Sequence, residues 1–299
     1  MNYGFIGLGN LGAHLANSLL KAGFGVRVND LDRTLASSLE ERGAIWAETT
    51  KDAATNVDAV ITCLPSPAVS EQVLKEILPH MGSQTTWIEM STLGKEEILR
   101  LAEIAKQAGV ETMELPVTGG VHLAAQGQIT MLAGGSEHLY KKHLPALEAM
   151  GNQIFHMGPL GSASLIKVIT NMLAFIHLVA DAEALMLAKR GGLDLGQAWW
   201  AIKASSGSSF VHETEGQLIL NGSYDVAFTM DLALKDLGFA MEFGREFDVP
   251  LDLASLVQKT FEKGREEYGG AAQSPMIAKL LEDVVGTDLR ATGFPARLE

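Results

Sequence analysis

Apolar and polar positions in the first half of the chain follow two alternating periods. Short apolar runs at residues 3–6, 26–28, 59–64, 86–89, 111–115 and 130–133 have the length and the Gly, Pro and Ser flanks of buried strands. Between several of them, residues 11–22, 34–42, 66–78 and 95–108 place apolar side chains at three- and four-residue spacing, which predicts helices. Strand–helix alternation with short connections predicts a doubly wound, mostly parallel sheet. The stretch GSEHLYKKHLPALEAMG adds a helix, NQIFHMG a short strand and PLGSAS a turn.

Beyond that turn the two-residue period disappears. One helix of nearly thirty residues is predicted over 162–190, stopped by Gly191 and Gly192. Further helices are predicted at 195–204, 210–220, 229–247, 253–267 and 275–285, with no convincing strand. The chain therefore divides into an α/β domain over 1–161 and an all-α domain over 162–299. It shows no internal repeat and no low-complexity segment.

A length of 299 residues exceeds what one core usually serves, and 47% hydrophobic content is enough for two. The formal charge of −13 argues against nucleic acid and anionic membranes as partners. It leaves room for a small anionic substrate in a locally basic pocket. The one cysteine, Cys63, rules out an internal disulfide and reads as a buried small hydrophobe. With no basic and apolar leader at the start, a cytoplasmic location is expected. The apolar stretch around 166–187 carries Lys167, Asn171, His177, Asp181 and Glu183, so it reads as a buried helix and not a membrane span, with Glu183 paired in the helical core.

The opening run 3–6 leads into Gly7, Gly9 and Gly12. In a strand–turn–helix context the first glycine permits the tight turn and the second lets a pyrophosphate approach. The third lets the helix pack closely on the strand. The helix N-terminus then offers N–H groups and a positive dipole to phosphates. Asp30 ends the second run 18 residues after Gly12, where a carboxylate accepts hydrogen bonds from the adenosine ribose hydroxyls. A 2′-phosphate would be repelled there, so NAD is favoured. NADP stays possible because Arg33 lies nearby. The alternative is an ordinary turn whose glycines serve packing.

Four segments together resemble the β-hydroxyacid dehydrogenases, the family of 3-hydroxyisobutyrate and tartronate semialdehyde dehydrogenases. GFIGLGNLG resembles the family's cofactor motif, ELPVTGGVHLAAQGQITMLAGG its substrate motif, GSASLIKVITNML its catalytic motif and LALKDLGFA a later cofactor-contacting motif. The resemblance covers almost the whole chain. It implies a Rossmann-type domain, a helical domain for substrate binding and oligomerisation, and a cleft between them. It makes Lys167 the acid/base and Asn171, four residues on, its orienting partner. It assigns substrate binding to Thr118, Gly119, Gly120 and His122. Cofactor contacts fall to Gly7, Gly9, Asn10, Leu11, Gly12, Asp30, Leu64, Pro65, Thr92 and Lys235. Asp236 is expected to cap or pair locally. No metal is expected. His122 stands where family members often carry a small residue, so it either contacts the substrate or is a solvent-facing loop residue.

Each assignment has a plainer alternative. Lys167 would otherwise be a snorkelling surface lysine, Asn171 a core amide, Thr118 to Gly120 a strand-ending turn, Pro65 and Thr92 loop residues, and Lys235 part of a solvated face. The function expected is hydride transfer between NAD and a small anionic β-hydroxyacid such as 3-hydroxyisobutyrate, by a homodimer or homotetramer. A catalytically silent NAD(P)-binding module and an imine reductase-like enzyme are the alternatives. Retention of Lys167 weighs against both.

Overall fold

The structure, a computed structural model, is described for residues 1–298. It divides into two compact units, Met1–Lys167 and Val168–Glu299.

The first unit is a sheet covered on both faces. Its strands are β1 (Asn2–Ile6), β2 (Gly25–Asn29), β3 (Ile45–Trp46), β4 (Ala59–Thr62), β5 (Thr86–Glu89), β6 (Glu111–Glu114), β7 (Val117–Thr118), β8 (Ile129–Gly134) and β9 (Gly151–Gly158). They lie in the order β3-β2-β1-β4-β5-β6-β8-β7, and β9 pairs with β8. The pairs among β1 to β6 are parallel, β8 runs antiparallel to β6 and β7, and β9 runs parallel to β8. The order places β1 at the switch point of the sheet, with β4 on one side and β2 on the other.

The helices follow from apolar stripes. α1 (Gly12–Lys21) and α7 (Glu137–Met150) cover one face, where Tyr3, Phe5, Val28 and Ile61 meet Leu15, Leu19 and Leu147. α3 (Thr50–Ala54), α4 (Pro67–Ile77) and α5 (Lys95–Gln107) cover the other, where Val60 and Trp87 meet Leu74, Ile77 and Leu101. Residues 34–42, expected as one helix, form a 3₁₀ turn at Arg33–Ala36 and a single turn, α2 (Ser37–Glu40). Asp32 caps that turn by accepting Thr34 N–H at 2.9 Å. β3, α3, β7 and α6 (Gly120–Ala125) were not anticipated; they are two to six residues long, too short to show a period.

The long helix α8 spans Ser162–Arg190, with the predicted ends. By length and composition it could cross a membrane; only a third of its apolar window is buried, with Ile169, Leu173 and Leu187 exposed, so it is not the buried helix that the sequence led us to expect. After it come α9 (Leu195–Lys203), α10 (Phe210–Glu213), α11 (Glu215–Asn221), α12 (Met230–Glu246), α13 (Asp252–Tyr268) and α14 (Ile277–Val285). The expected helix 210–220 is broken at Thr214, whose φ of −111° and ψ of −76° leave helical geometry. Phe175, Leu178, Leu185, Trp199, Leu237 and Phe261 form the core of this unit.

Glu183 does not pair in that core as expected: it is exposed, and Asp181 is the buried acid of α8. Two residues turn a helix by roughly 200°, so the two side chains face opposite ways. Asp181 Oδ1 lies 2.5 Å from His212 Nδ1, and His212 Nε2 donates to Trp199 O at 2.9 Å. Trp199 Nε1 donates in return to His212 O at 2.9 Å. Burial opposes charge on His212, but the bonds to Asp181 and Trp199 outweigh it and hold the imidazole above its ordinary value. Burial, helped by the charge of Asp181, pushes the Glu215 carboxyl up to about 8.

Both shifts make the folded state bind more protons than the unfolded chain. For Glu215 that stability is present below the ordinary carboxylate range, about 4.3, and is lost as pH rises towards about 8. For His212 it is lost above about 6.5. Thermal melting should therefore show Glu215→Gln more stable than the unmodified protein by several degrees at about pH 8, with little difference at about pH 5. An equal effect at both pH values would contradict the assignment. Asp181→Ala, which strands a buried imidazole, should cost on the order of 3–5 kcal/mol.

Candidate active site

Parallel pairing brings the C-terminal ends of β1, β2, β4 and β5 to one edge of the sheet, so the loops carrying Gly7, Asp30, Leu64 and Thr92 share that edge. β7 continues the direction of β6, because both run antiparallel to β8, so Thr118 to Gly120 also follow a strand end there.

The glycine turn has the geometry of a phosphate cradle. Gly7 has a φ of +98°, and a Cβ on it would stand 2.2 Å from Cys63 O. A Cβ on Gly12 would stand 2.0 Å from Gly7 O, so the start of α1 presses directly on the turn. A Cβ on Gly9 would meet nothing within 4 Å; the turn is open on that side, where a pyrophosphate would approach. Leu11, at the N-cap of α1, makes no side-chain cap bond, and no acid stands in the first turn. Donors and dipole at Asn10 to Gly12 are therefore directed at the open side. These residues fit a dinucleotide.

Asp30 does two jobs. Its Oδ2 accepts Leu8 N–H at 2.6 Å and its Oδ1 accepts Asp32 N–H at 2.9 Å, so the carboxylate braces the glycine turn from the end of β2. Each oxygen keeps a further lone pair for a ribose hydroxyl. Arg33 is engaged elsewhere: its guanidinium makes two bonds to the Glu40 carboxylate, at 2.6 and 2.9 Å, and lies 4.5 Å over the Trp46 ring.

The loops after β4 and β5 are tied by a buried network that the sequence reading missed. Glu89, at the end of β5, is almost fully buried; its Oε1 accepts Ser91 N–H at 2.7 Å and its Oε2 accepts the Thr62 hydroxyl at 3.0 Å. Trp87 Nε1 donates to that hydroxyl at 2.8 Å, and Ser91 Oγ accepts Leu64 N–H at 2.8 Å. The Leu64-Pro65 segment is thus fastened to the segment that leads to Thr92. Burial pushes the Glu89 carboxyl up, against the bonds from Ser91, Thr62 and Ser70. Burial and Glu89 together push the Cys63 thiol up to about 12, which removes it from nucleophilic chemistry.

Thr118 is half-buried, and Gly119 and Gly120 follow with φ of +120° and +85°. His122 folds back over the turn: a Cβ on Gly120 would lie 3.1 Å from its Nδ1. Burial holds the His122 imidazole below its ordinary value, so it is neutral near pH 7. His122 is half-buried in α6 and is not the fully solvent-facing residue of the plainer reading.

Lys167 closes the first unit, in the second turn of α8, and is 9% exposed. Asn171 stands one helical turn later. In the second unit Asn171 Nδ2 donates to Asp236 Oδ2 at 2.6 Å, and Lys235 Nζ donates to Asp236 Oδ1 at 2.7 Å. Asp236 is 1% exposed. It does pair locally, with Lys235, but it also reaches across from α12 to α8 and fixes Asn171. Lys235 further lies 5.2 Å from the Phe239 ring centroid. Among the described residues no His, Cys, Asp and Glu group has a metal-binding arrangement.

Residues 2–158 match the model for the NAD binding domain of 6-phosphogluconate dehydrogenase, and residues 161–281 the model for the NAD-binding domain of NADP-dependent 3-hydroxyisobutyrate dehydrogenase. The chain is 32% identical to 2-(hydroxymethyl)glutarate dehydrogenase of Eubacterium barkeri, over 96% of each. It is 33% identical to the NAD-dependent L-serine dehydrogenase of Pseudomonas aeruginosa, over 94% of this chain and 98% of the relative. Among solved structures, 3-hydroxyisobutyrate dehydrogenase of Mycobacterium tuberculosis with L-serine superposes with a TM-score of 0.83 at 28% identity, over 93% of this chain and 98% of that one. An imine reductase from Myxococcus stipitatus, at 17% identity and a TM-score of 0.63, shares the fold alone. The glycine cradle, the sheet that carries it and these matches together place the chain in the family of NAD(P)-binding, 3-hydroxyisobutyrate dehydrogenase-like β-hydroxyacid dehydrogenases.

Proposed function

We propose that this protein transfers hydride between NAD and a small anionic β-hydroxyacid, with Lys167 as the acid/base. The observation that carries the reading is a buried lysine one helical turn from an asparagine that a buried aspartate holds in place. When bound, the nicotinamide supplies the hydride acceptor in oxidation and the hydride donor in reduction. The chain's own residues manage the proton. In oxidation the neutral Lys167 amine takes the proton of the substrate hydroxyl; in reduction the ammonium form returns it to the carbonyl oxygen. Asn171, with one amide hydrogen committed to Asp236, orients the lysine and the substrate. The backbone N–H groups of Gly119 and Gly120 and the Thr118 hydroxyl receive the substrate's anionic group. Gly7, Gly9, Asn10, Leu11 and Gly12 hold the pyrophosphate, Asp30 the ribose, and Leu64, Pro65, Thr92 and Lys235 the rest of the dinucleotide.

The names of the relatives support the substrate class: hydroxymethylglutarate, L-serine and 3-hydroxyisobutyrate each combine an acid with a nearby hydroxyl. A cytoplasmic location and a homodimer or homotetramer belong to the same proposal. Ile169, Leu173 and Leu187 leave an apolar strip of α8 exposed, which favours self-association.

The NAD preference rests on Asp30 and on the engagement of Arg33 by Glu40. NAD should exceed NADP in kcat/KM. Asp30→Ser should shrink the preference roughly tenfold or more, by about 1–3 kcal/mol. Glu40→Gln, which releases the guanidinium, should improve NADP use alone. Equal use of both cofactors by the unmodified protein would overturn the assignment.

Lys167→Ala should lower kcat by about 10²–10⁴-fold while NAD binding, read by titration, is retained. Lys167→Arg should restore little, because guanidinium stays protonated. An alanine variant that kept most of its turnover would remove Lys167 from the mechanism. His122→Gly should change the ranking among hydroxyacids in steady-state kinetics without changing NAD affinity; an unchanged ranking would return His122 to a purely structural place.

A further inference from the structure

Glu114 is the last residue of β6, four residues before Thr118. Its side chain is 1% exposed and is fully engaged with the start of α8. Oε1 accepts Ala163 N–H at 3.0 Å. Oε2 accepts Ser164 N–H at 3.0 Å and the Ser164 hydroxyl at 2.5 Å. The seat is shaped for this carboxylate: Glu114 pairs across the sheet with Gly134, and a Cβ on Gly134 would stand 2.1 Å from Oε1. One side chain therefore joins the strand that leads to the Thr118–Gly120 turn to the helix that carries Lys167.

Two physical consequences follow. The first N–H groups of a helix have no partner within it, and Glu114 satisfies two of those at the start of α8, fixing where the helix begins. Lys167 follows Ser164 by three residues, about one turn, and its Cα–Cβ bond tilts back towards that end. The positive pole of the helix opposes an ammonium there; burial pushes the Glu114 carboxyl up, against the bonds from Ser164, Ala163 and Gly161, and in its ionised form it offsets that pole. We propose that Glu114 is a positioning residue for Lys167, fixing where the amine stands and supplying the negative charge that supports its protonated form. This rests on the acid/base role of Lys167 proposed above.

Other ionisable groups stand on the neighbouring elements of the first unit and further along α8. On α5, Lys95 runs its stem against Gly161 and pairs with Glu96 at 3.9 Å. His122 lies on α6, and His156 on β9 makes a 2.9 Å bond between Nε2 and Gly135 O. One turn further along α8, Asn171 leads to Asp236 and Lys235. The variants below leave all of these in place, so a change in the pH response reports on Glu114.

The experiment is kcat/KM for oxidation as a function of pH, with NAD and the best hydroxyacid of a panel, on the full-length protein. Oxidation uses the neutral amine, so the rate rises with pH. Glu114→Gln keeps the shape and removes the charge. It should move the midpoint of the rise to lower pH by about 0.5–1 unit and lower the plateau by about 10–100-fold. Glu114→Asp keeps the charge and shortens the reach; it should lower the plateau and leave the midpoint in place. Ser164→Ala removes one hydroxyl bond and should lower the plateau roughly threefold. A purely structural role would reduce the amount of folded protein or the plateau without moving the midpoint, so an unmoved midpoint in Glu114→Gln overturns the proposal. If Glu114→Gln does not fold, the other two variants decide: plateaus equal to that of the unmodified protein in both overturn it. Lys167→Ala is measured alongside. If it keeps its turnover, the acid/base reading itself fails; if it is silent while the Glu114 variants behave like the unmodified protein, only the role of Glu114 fails.

Discussion

Parallel strand pairing is the constraint on which the first unit's functional edge depends. With β1, β2, β4, β5 and β6 all running one way, every connection must cross back through a helix or long loop, and every strand ends at the same edge. Gly7, Asp30, Leu64 and Thr92 are far apart in sequence and share that edge because the register leaves them no other place. The same register buries the strands on both faces, so Tyr3 and Phe5 point into one core while Ile6 and Val60 point into the other.

What holds the loops at that edge is a set of carboxylates engaged by the protein's own donors. Asp30 braces the glycine turn through Leu8 N–H, Glu89 gathers Thr62 and Ser91, and Glu114 receives the first turn of α8. In the second unit Asp236 does the same for Asn171 and Lys235. A buried carboxylate is stable only when its oxygens are satisfied, so Glu89, Glu114 and Asp236, each buried, specify the position of the groups that satisfy them. Rigid loops held this way need little reorganisation when a cofactor and a substrate arrive. At the glycine turn Asp30 is engaged by the N–H groups of Leu8 and Asp32, and the start of α1 carries no acid in its first turn, so a strongly acidic chain still presents open backbone donors there.

The features legible in the sequence were those with a period or a mandatory glycine. Helix α8 was readable to its ends because its apolar positions persist over many turns and then meet Gly191-Gly192. The Gly7-Gly9-Gly12 turn was readable because backbone at 2.0–2.2 Å from an added Cβ tolerates no other residue at Gly7 and Gly12. What escaped was local or long-range. The break at Thr214 and the 3₁₀ winding before α2 are local departures in backbone geometry. Glu89 and Glu114 stand at strand ends, where an acid in sequence resembles an ordinary surface residue; their partners are brought to them by the fold. Asp181 and Glu183 lie two positions apart, and only packing against His212 shows which is buried. The reach of Asp236 from α12 to Asn171 likewise has no signature in either segment alone.

The central claim is that these positioned groups carry hydride transfer on a β-hydroxyacid. Its most direct test is the near-ultraviolet absorbance of reduced nicotinamide after mixing the protein with NAD and a panel of small acids. The panel should include 3-hydroxyisobutyrate, L-serine and their analogues lacking either the hydroxyl or the carboxylate. The account predicts NAD reduction with at least one β-hydroxyacid and none with the analogues. Absence of reduction with every hydroxyacid, together with turnover of a cyclic imine by the reduced cofactor, would contradict it.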